Sequence, residues 1–323
     1  MRLDLDRIRA AVPHIAPVFR DTPQYVCEPL GAVLGCRITL KVETLNPVRS
    51  FKGRGTETVL EGVVRQGGSR PVICASAGNL GQALAYSGRR RGVPCTVVAS
   101  SAASVLKLQR MRDLGAGVHL VDGDIEVARA TARDLADRDG LHLVEDSEDL
   151  ATCEGAGTIG LELLDVLGAG EPLDAVLLAL GGGALVTGVG HVVKTLAPGT
   201  AVVGVQPQGA PAMTLSWRAG HVVRTPTIDT IADGVAGRHP VPEVLDDLLT
   251  IADDAILVEE DNIRAGMRLL YEHAGLVVEP SAALGVAAVL ENRSRFEGLH
   301  VATVVCGGNV TPGDFRRWVI EGR

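Results

Sequence analysis

Short apolar runs alternating with helical stretches constrain this chain more than any other feature. Val72 to Ala75, Thr96 to Ala99, Val118 to Val121 and Leu141 to Val144 read as strands. The stretches Leu80 to Arg91, Ser104 to Leu114 and Ile125 to Arg138 between them read as helices. Such alternation builds parallel βα units, since each helix returns the chain to the end of the sheet where the next strand starts. The rhythm resumes after about Leu150, with a helix at Ile159 to Leu167 and strands at Ala175 to Leu180, Val202 to Val205 and Val301 to Val305. Two α/β lobes are expected. Upstream, Leu3 to Phe19 is amphipathic, and Ile38 to Thr44 alternates like a strand before the turn-rich Asn46 to Arg49. Gly234 to Pro242 reads as a long loop.

Composition narrows the function. With 323 residues, 46% of them hydrophobic, the chain has core enough for two modest domains or one large one, and aromatics at 3% favour helices packed closely on buried sheets. A net charge of -8 supplies no field for nucleic acid, which is not expected as a partner. The opening MRLDLDRIRA is too acidic for a signal peptide, and no apolar run reaches membrane-spanning length. A cytoplasmic location without membrane association is expected. Cys27, Cys36, Cys74, Cys95, Cys153 and Cys306 form no CxxC pair and have no His at ligand spacing, so reduced, buried thiols and no metal site are expected.

Four glycine-bearing motifs carry the chemistry. Gly181-Gly182-Gly183-Ala184-Leu185 follows an apolar strand and opens a helical stretch, where bare backbone N–H groups and a helix N-terminus can cradle a phosphate; a tight turn without ligand is the alternative. Ser50-Phe51-Lys52-Gly53-Arg54-Gly55 sets a lysine at a helix start. A partly apolar, cationic neighbourhood, with Arg49 and Arg54 contributing, would favour the neutral amine that forms an imine with an aldehyde. Ser76-Ala77-Gly78-Asn79 suits either a helix cap or a carboxylate site, with Asn79 free to meet a cofactor hydroxyl. In Cys306-Gly307-Gly308-Asn309 the glycines permit close approach to a strand end, and the thiol can face a ring nitrogen. The literal GxGxxG at Gly155 to Gly160 does not follow a strand, so dinucleotide binding is not expected, and no GxxxxGK[ST] occurs.

Read together, SFKGRG, SAGN, GGGAL and CGGN resemble the fold-type II pyridoxal-phosphate family, which includes threonine and serine dehydratases, serine racemase, threonine synthase and cysteine synthase. Arg20-Asp21-Thr22-Pro23, Ile231 to Ala236 and Glu279-Pro280-Ser281-Ala282-Ala283 resemble segments of the threonine/serine dehydratase branch. The resemblance implies two open parallel-sheet lobes, similar to the tryptophan synthase β subunit, with pyridoxal 5'-phosphate in the cleft between them. It divides the chain into a large cofactor-binding domain, 1–44 plus 150–323, and a small substrate-binding domain, 45–149.

Carried over by residue, the resemblance makes Lys52 the Schiff-base lysine and the base at Cα, with Phe51 beside the cofactor and Asn79 on the pyridoxal hydroxyl. Gly181, Gly182, Gly183, Ala184 and Leu185 would hold the phosphate, and Cys306 would meet the pyridine nitrogen. Ser76, Ala77, Gly78 and Asn79 would bind the carboxylate of an amino-acid substrate. The expected reaction is loss of water and ammonia from an L-β-hydroxy amino acid such as threonine or serine; the alternative is β- or γ-replacement, as in cysteine synthase or threonine synthase. Where serine racemase carries a serine hydroxyl as opposite-face acid and base, this chain has Ala77, which argues against racemisation. Leu80 stands where dehydratases usually have histidine, Ala184 where a fourth glycine is usual, and Gln206 in place of a glutamate, which weakens any divalent-metal site. Arg49 adds a cation near the expected mouth unless it is simply solvated. The segment after Asn309 is short, so no effector-binding extension is expected, and a homodimer is implied.

Overall fold

The computed structural model describes residues 1–66, 68, 70–167 and 172–322. Its strands are β1 (Gln24–Val26), β2 (Arg37–Val42), β3 (Val72–Ala75), β4 (Cys95–Ser100), β5 (Gly117–Val121), β6 (His142–Leu143), β7 (Ala175–Ala179), β8 (Ala201–Pro207), β9 (Asp254–Val258) and β10 (His300–Val305). They form two sheets, a six-stranded one in the order β1-β2-β10-β7-β8-β9 and a four-stranded one in the order β5-β4-β3-β6. Every pairing is parallel except β1 with β2, where Gln24 faces Lys41. This is the expected α/β architecture.

Burial explains why the strands of the larger sheet read as continuous apolar runs. Every residue of β7 and β10 is buried, because helices cover both faces. Each sheet has its own core: Val176, Leu178, Val203 and Val304 lie in one, Val72, Leu84, Val97 and Met111 in the other. All six cysteines are buried and unpaired. Among the described residues no helix is long and apolar enough to cross a membrane.

The helix expected at Ile159 to Leu167 runs from Leu150 to Leu167, so the literal GxGxxG lies inside it. Its glycines are contact points. A Cβ on Gly155 would stand 2.6 Å from the Arg54 carbonyl oxygen, and one on Gly157 would stand 3.1 Å from that of Gly188. The helix thus packs backbone to backbone against the helices Lys52–Arg65 and Ala184–Leu196. The expected loop at Gly234 to Pro242 starts within a single 3-10 turn, Asp233–Val235, and has no other regular structure before the helix Pro242–Ile251.

Candidate active site

The ends of the parallel strands and the turns after them enclose a cavity of about 790 Å³. Lys52, Ser76 to Asn79, Gly181 to Leu185 and Cys306 all line it, and so does Phe51. Residues more than 250 positions apart in the chain thus meet at one site, on the strand-end crevice where open α/β sheets bind ligands.

Lys52 is positioned by the end of β10. Phe51 donates its backbone N–H to the Cys306 carbonyl at 3.0 Å, Gly308 donates to the Arg49 carbonyl at 2.9 Å, and Ser50 bridges Gly307. Lys52 then begins the helix Lys52–Arg65, with its Nζ 4.7 Å from the centroid of the Phe51 ring. The polar neighbour of that nitrogen is an acid: Nζ donates to Asp146 Oδ1 at 2.5 Å.

The cationic field expected from Arg54 and Arg49 is not there. Arg54 is fully buried and points away, with Nε 2.9 Å from Glu43 Oε2 and Nη1 2.6 Å from Glu162 Oε1. Lys41 Nζ donates to the same Glu162 at 2.6 Å. Burial pushes the Glu162 carboxyl up, but Arg54 and then Lys41 outweigh it and hold it down at about 2. The cluster fastens the Lys52 helix to β2 and to the helix Leu150–Leu167. Arg49 is exposed, in the left-handed region at φ 51°, and does not line the cavity.

The hydrogen bonds of the Ser76 to Asn79 turn bear on its reading as a helix cap. Ser76 Oγ accepts from the backbone N–H groups of Gly78 and Gly81, each at 3.1 Å, as a cap does. Asn79 Nδ2 donates to Glu279 Oε1 at 2.8 Å, and its Oδ1 accepts from Asn309 Nδ2 at 2.8 Å. These bonds fix which way the Asn79 amide faces and leave one N–H of Nδ2 for another acceptor. Leu80 packs into the small-sheet core.

The glycine turn after β7 fits a phosphate. A Cβ on Gly182 would stand 2.7 Å from Ser147 Oγ, and Gly183 has φ 111°, so side chains there would close the turn. The helix Ala184–Leu196 starts directly behind it, which aims unpaired N–H groups and the positive end of a helix dipole at the same point. Cys306 is buried; burial first, then the nearby Glu279, push its thiol well above the ordinary range and keep it neutral. Gln206 Oε1 is occupied by the N–H and hydroxyl of Thr214, at 2.7 and 2.8 Å. Among the described residues no group of three His, Cys, Asp or Glu could hold a metal.

The sequence motifs mark neither Asp146 nor Lys107 as part of the site, and Asp233 only within the segment Ile231 to Ala236. Asp146 belongs to the run Glu145 to Asp149, which reads as a solvated charged turn. Lys107 Nζ and Asp233 form an ion pair at 2.5 Å across the cavity wall. Glu279 was visible only as part of the EPSAA segment. Its carboxyl is raised to about 7, by burial first and then by Asp233.

A glycine turn that fits a phosphate, an amine on a neighbouring helix start and a buried thiol at another strand end meet at one cavity, in the two-sheet α/β fold of the fold-type II pyridoxal-phosphate enzymes. The chain belongs to the pyridoxal-phosphate dependent enzyme family, which matches residues 15–307, and members of this family bind pyridoxal 5'-phosphate. It is similar to the L-threonine ammonia-lyase of Thermotoga maritima, 32% identical over 99% of this chain and 79% of that protein. It is also similar to a serine racemase of Oryza sativa subsp. indica, 30% identical over 96% of this chain and 92% of the other. The structure of processed threonine deaminase isoform 2 from Solanum lycopersicum superposes with a TM-score of 0.88 at 30% identity, covering 98% of this chain and 93% of that one. These likenesses place the chain among the dehydratases, racemases and related lyases of the family.

Proposed function

We propose that the protein removes water and ammonia from an L-β-hydroxy amino acid, with threonine and serine as the first candidates, to give a 2-oxo acid. The observation that carries this reading is the convergence of Lys52, the Ser76 to Asn79 turn, the glycine turn and Cys306 on one cavity. The cofactor, when bound, withdraws electrons from Cα. Lys52 carries it and takes the Cα proton. Gly181, Gly182, Gly183, Ala184 and Leu185 hold its phosphate, Asn79 its ring hydroxyl and Cys306 its ring nitrogen, with Phe51 alongside. Ser76, Ala77, Gly78 and Asn79 hold the substrate carboxylate. The Cys306 thiol, kept neutral by burial, would face the ring nitrogen without placing a charge beside it.

In this reading residues 1–44 with 150–323 form the cofactor domain and 45–149 the substrate domain, and the enzyme works as a cytoplasmic homodimer. The test is a screen of L-amino acids for release of 2-oxo acid and ammonia by the loaded enzyme, with and without an added thiol nucleophile. Oxo acid from threonine or serine under both conditions is expected. Oxo acid that disappears into a replacement product when the nucleophile is present makes replacement the native reaction. Lys52→Ala abolishes the bound-cofactor absorbance band and the activity together.

A further inference from the structure

Most of the acids that line the cavity are engaged away from the reacting nitrogen. Asn79 and Asn309 occupy the Glu279 carboxylate, Lys107 pairs with Asp233, Arg129 with Glu126, and Arg133 with Glu145 and Glu148, while Asp314 accepts from the Thr311 hydroxyl. Asp146 is the exception. Its Oδ1 lies 2.5 Å from Lys52 Nζ, with the two side chains 34% and 17% exposed to the cavity. Its backbone is held: the Asp146 carbonyl accepts from Thr152 Oγ1, and the next carbonyl, that of Ser147, accepts from Cys153 Sγ at 3.4 Å. The turn is thereby folded onto the start of the helix Leu150–Leu167 with the carboxylate facing Lys52. Asp146 Oδ2 is also 3.9 Å from where a Cβ on Gly182 would stand, so the group lies between the lysine and the glycine turn.

Departure of a hydroxyl needs a proton, because hydroxide is a poor leaving group, and a positioned side-chain acid typically contributes about 10² to 10⁴ in rate. We propose that Asp146 is a catalytic residue that passes the proton collected by Lys52 to the departing β-hydroxyl; this rests on the dehydration reading above. The step balances. The Cα–H bond breaks and its proton goes to Lys52 Nζ, making an ammonium. That ammonium gives a proton to Asp146 Oδ1 along their contact. The carboxylic acid gives it to the β-oxygen as the Cβ–O bond breaks with its electron pair on oxygen. The pair left from the Cα–H bond becomes the second Cα–Cβ bond as the Cβ–O bond breaks. Water departs, and the Lys52 amine and the Asp146 carboxylate are restored.

A leaving group that needs no proton separates this role from others. Asp146→Asn loaded with pyridoxal phosphate is compared with the unaltered enzyme on L-serine and on β-chloro-L-alanine, reading pyruvate release. Washout of the serine α-proton in deuterated water and the bound-cofactor absorbance band are recorded on the same samples. The expected result is at least about a 100-fold loss on serine, chloroalanine turnover within about threefold, continued α-proton washout and an unchanged band. An equal loss on both substrates makes Asp146 a support for Lys52 or for the fold and overturns the relay. So does an undiminished serine rate, which assigns the proton to another donor such as the cofactor phosphate. Should the asparagine variant not take up cofactor, Asp146→Ala is read by the same ratio of rates, and failure of uptake in both overturns the proposal. An unaltered enzyme that eliminates chloride but dehydrates no hydroxy amino acid overturns the dehydration reading, and the relay with it.

Discussion

Asn79 and Glu279 are joined by a 2.8 Å hydrogen bond between the helix that follows β3 of the small sheet and the turn before the 3-10 helix Pro280–Ala283. The carboxylate also accepts from the Asn309 backbone N–H at 3.0 Å, so one buried acid ties together two of the four motifs. Burial, then Asp233, raise its carboxyl from an ordinary 4.5 to about 7. Folded Glu279 therefore keeps its proton to higher pH than the unfolded chain does. Its contribution to stability is full below 4.5 and is lost as pH rises through about 7. The stability difference between the unaltered chain and Glu279→Gln should therefore shift against the unaltered chain by about 1 to 3 kcal/mol from pH 4.5 to pH 8. Urea unfolding of the cofactor-free proteins at the two pH values measures it; a difference independent of pH would show that Glu279 does not titrate in this window.

The Arg54 cluster has the opposite pH signature. Glu162 is held at about 2 in the fold against an ordinary 4.5, so its contribution is full above 4.5 and is lost as pH falls toward 2. Removing the cation leaves Glu162 with Lys41 and the buried Glu43 carboxylate with the Thr22 hydroxyl in place of its ion-pair partner. Arg54→Met should cost about 3 to 5 kcal/mol, the usual penalty for stranding one side of a buried ion pair. Thermal and denaturant unfolding test this, and Glu162→Gln should flatten the acid limb of the stability curve.

Gly183 should not tolerate a side chain. Its φ of 111° strains any L residue, and a Cβ there would run into Val244. Gly183→Ala should destabilise the turn by about 1 to 3 kcal/mol, and weakening of pyridoxal-phosphate affinity by roughly tenfold or more is expected as the turn is distorted. Equilibrium titration of the cofactor band, with circular dichroism to verify the fold, measures both.

Much of this was legible in the sequence because the inner strands β7 and β10 of the larger sheet are buried along their whole length and so read as largely apolar runs, as Ala175–Ala179 does. The glycine turns were legible for a related reason: a backbone that must approach a ligand closely excludes side chains. What escaped depended on partners remote in the chain. The helix expected at Ile159 to Leu167 begins nine residues earlier, at Leu150, and takes in Gly155 and Gly157, unfavourable in a helix by themselves but here close against the backbones of Arg54 and Gly188. Arg54 looked like a cation available to Lys52, whereas Glu43 and Glu162, 11 and 108 positions away, turn it inward. Asp146 had no local signal at all, since an acid among Glu145, Glu148 and Asp149 is ordinarily solvated.

Ala77 offers the sharpest separation between elimination and racemisation. It lines the cavity in the turn between β3 and the helix Asn79–Arg91, where its methyl group can neither give nor take a proton. In the proposed function Lys52 is the base on one face of the substrate; inverting Cα needs a second acid on the other. Ala77→Ser adds only a hydroxyl, at a residue that already lines the cavity. We expect the unaltered enzyme to form D-serine from L-serine at a small fraction of its dehydration rate, and Ala77→Ser to raise racemisation at least about tenfold, at the low end of what a positioned acid contributes. Chiral chromatography of the serine pool alongside pyruvate release gives both rates from one reaction. Fast D-serine formation before the substitution would mean that water or another group already serves the opposite face, and that Ala77 does not set the outcome.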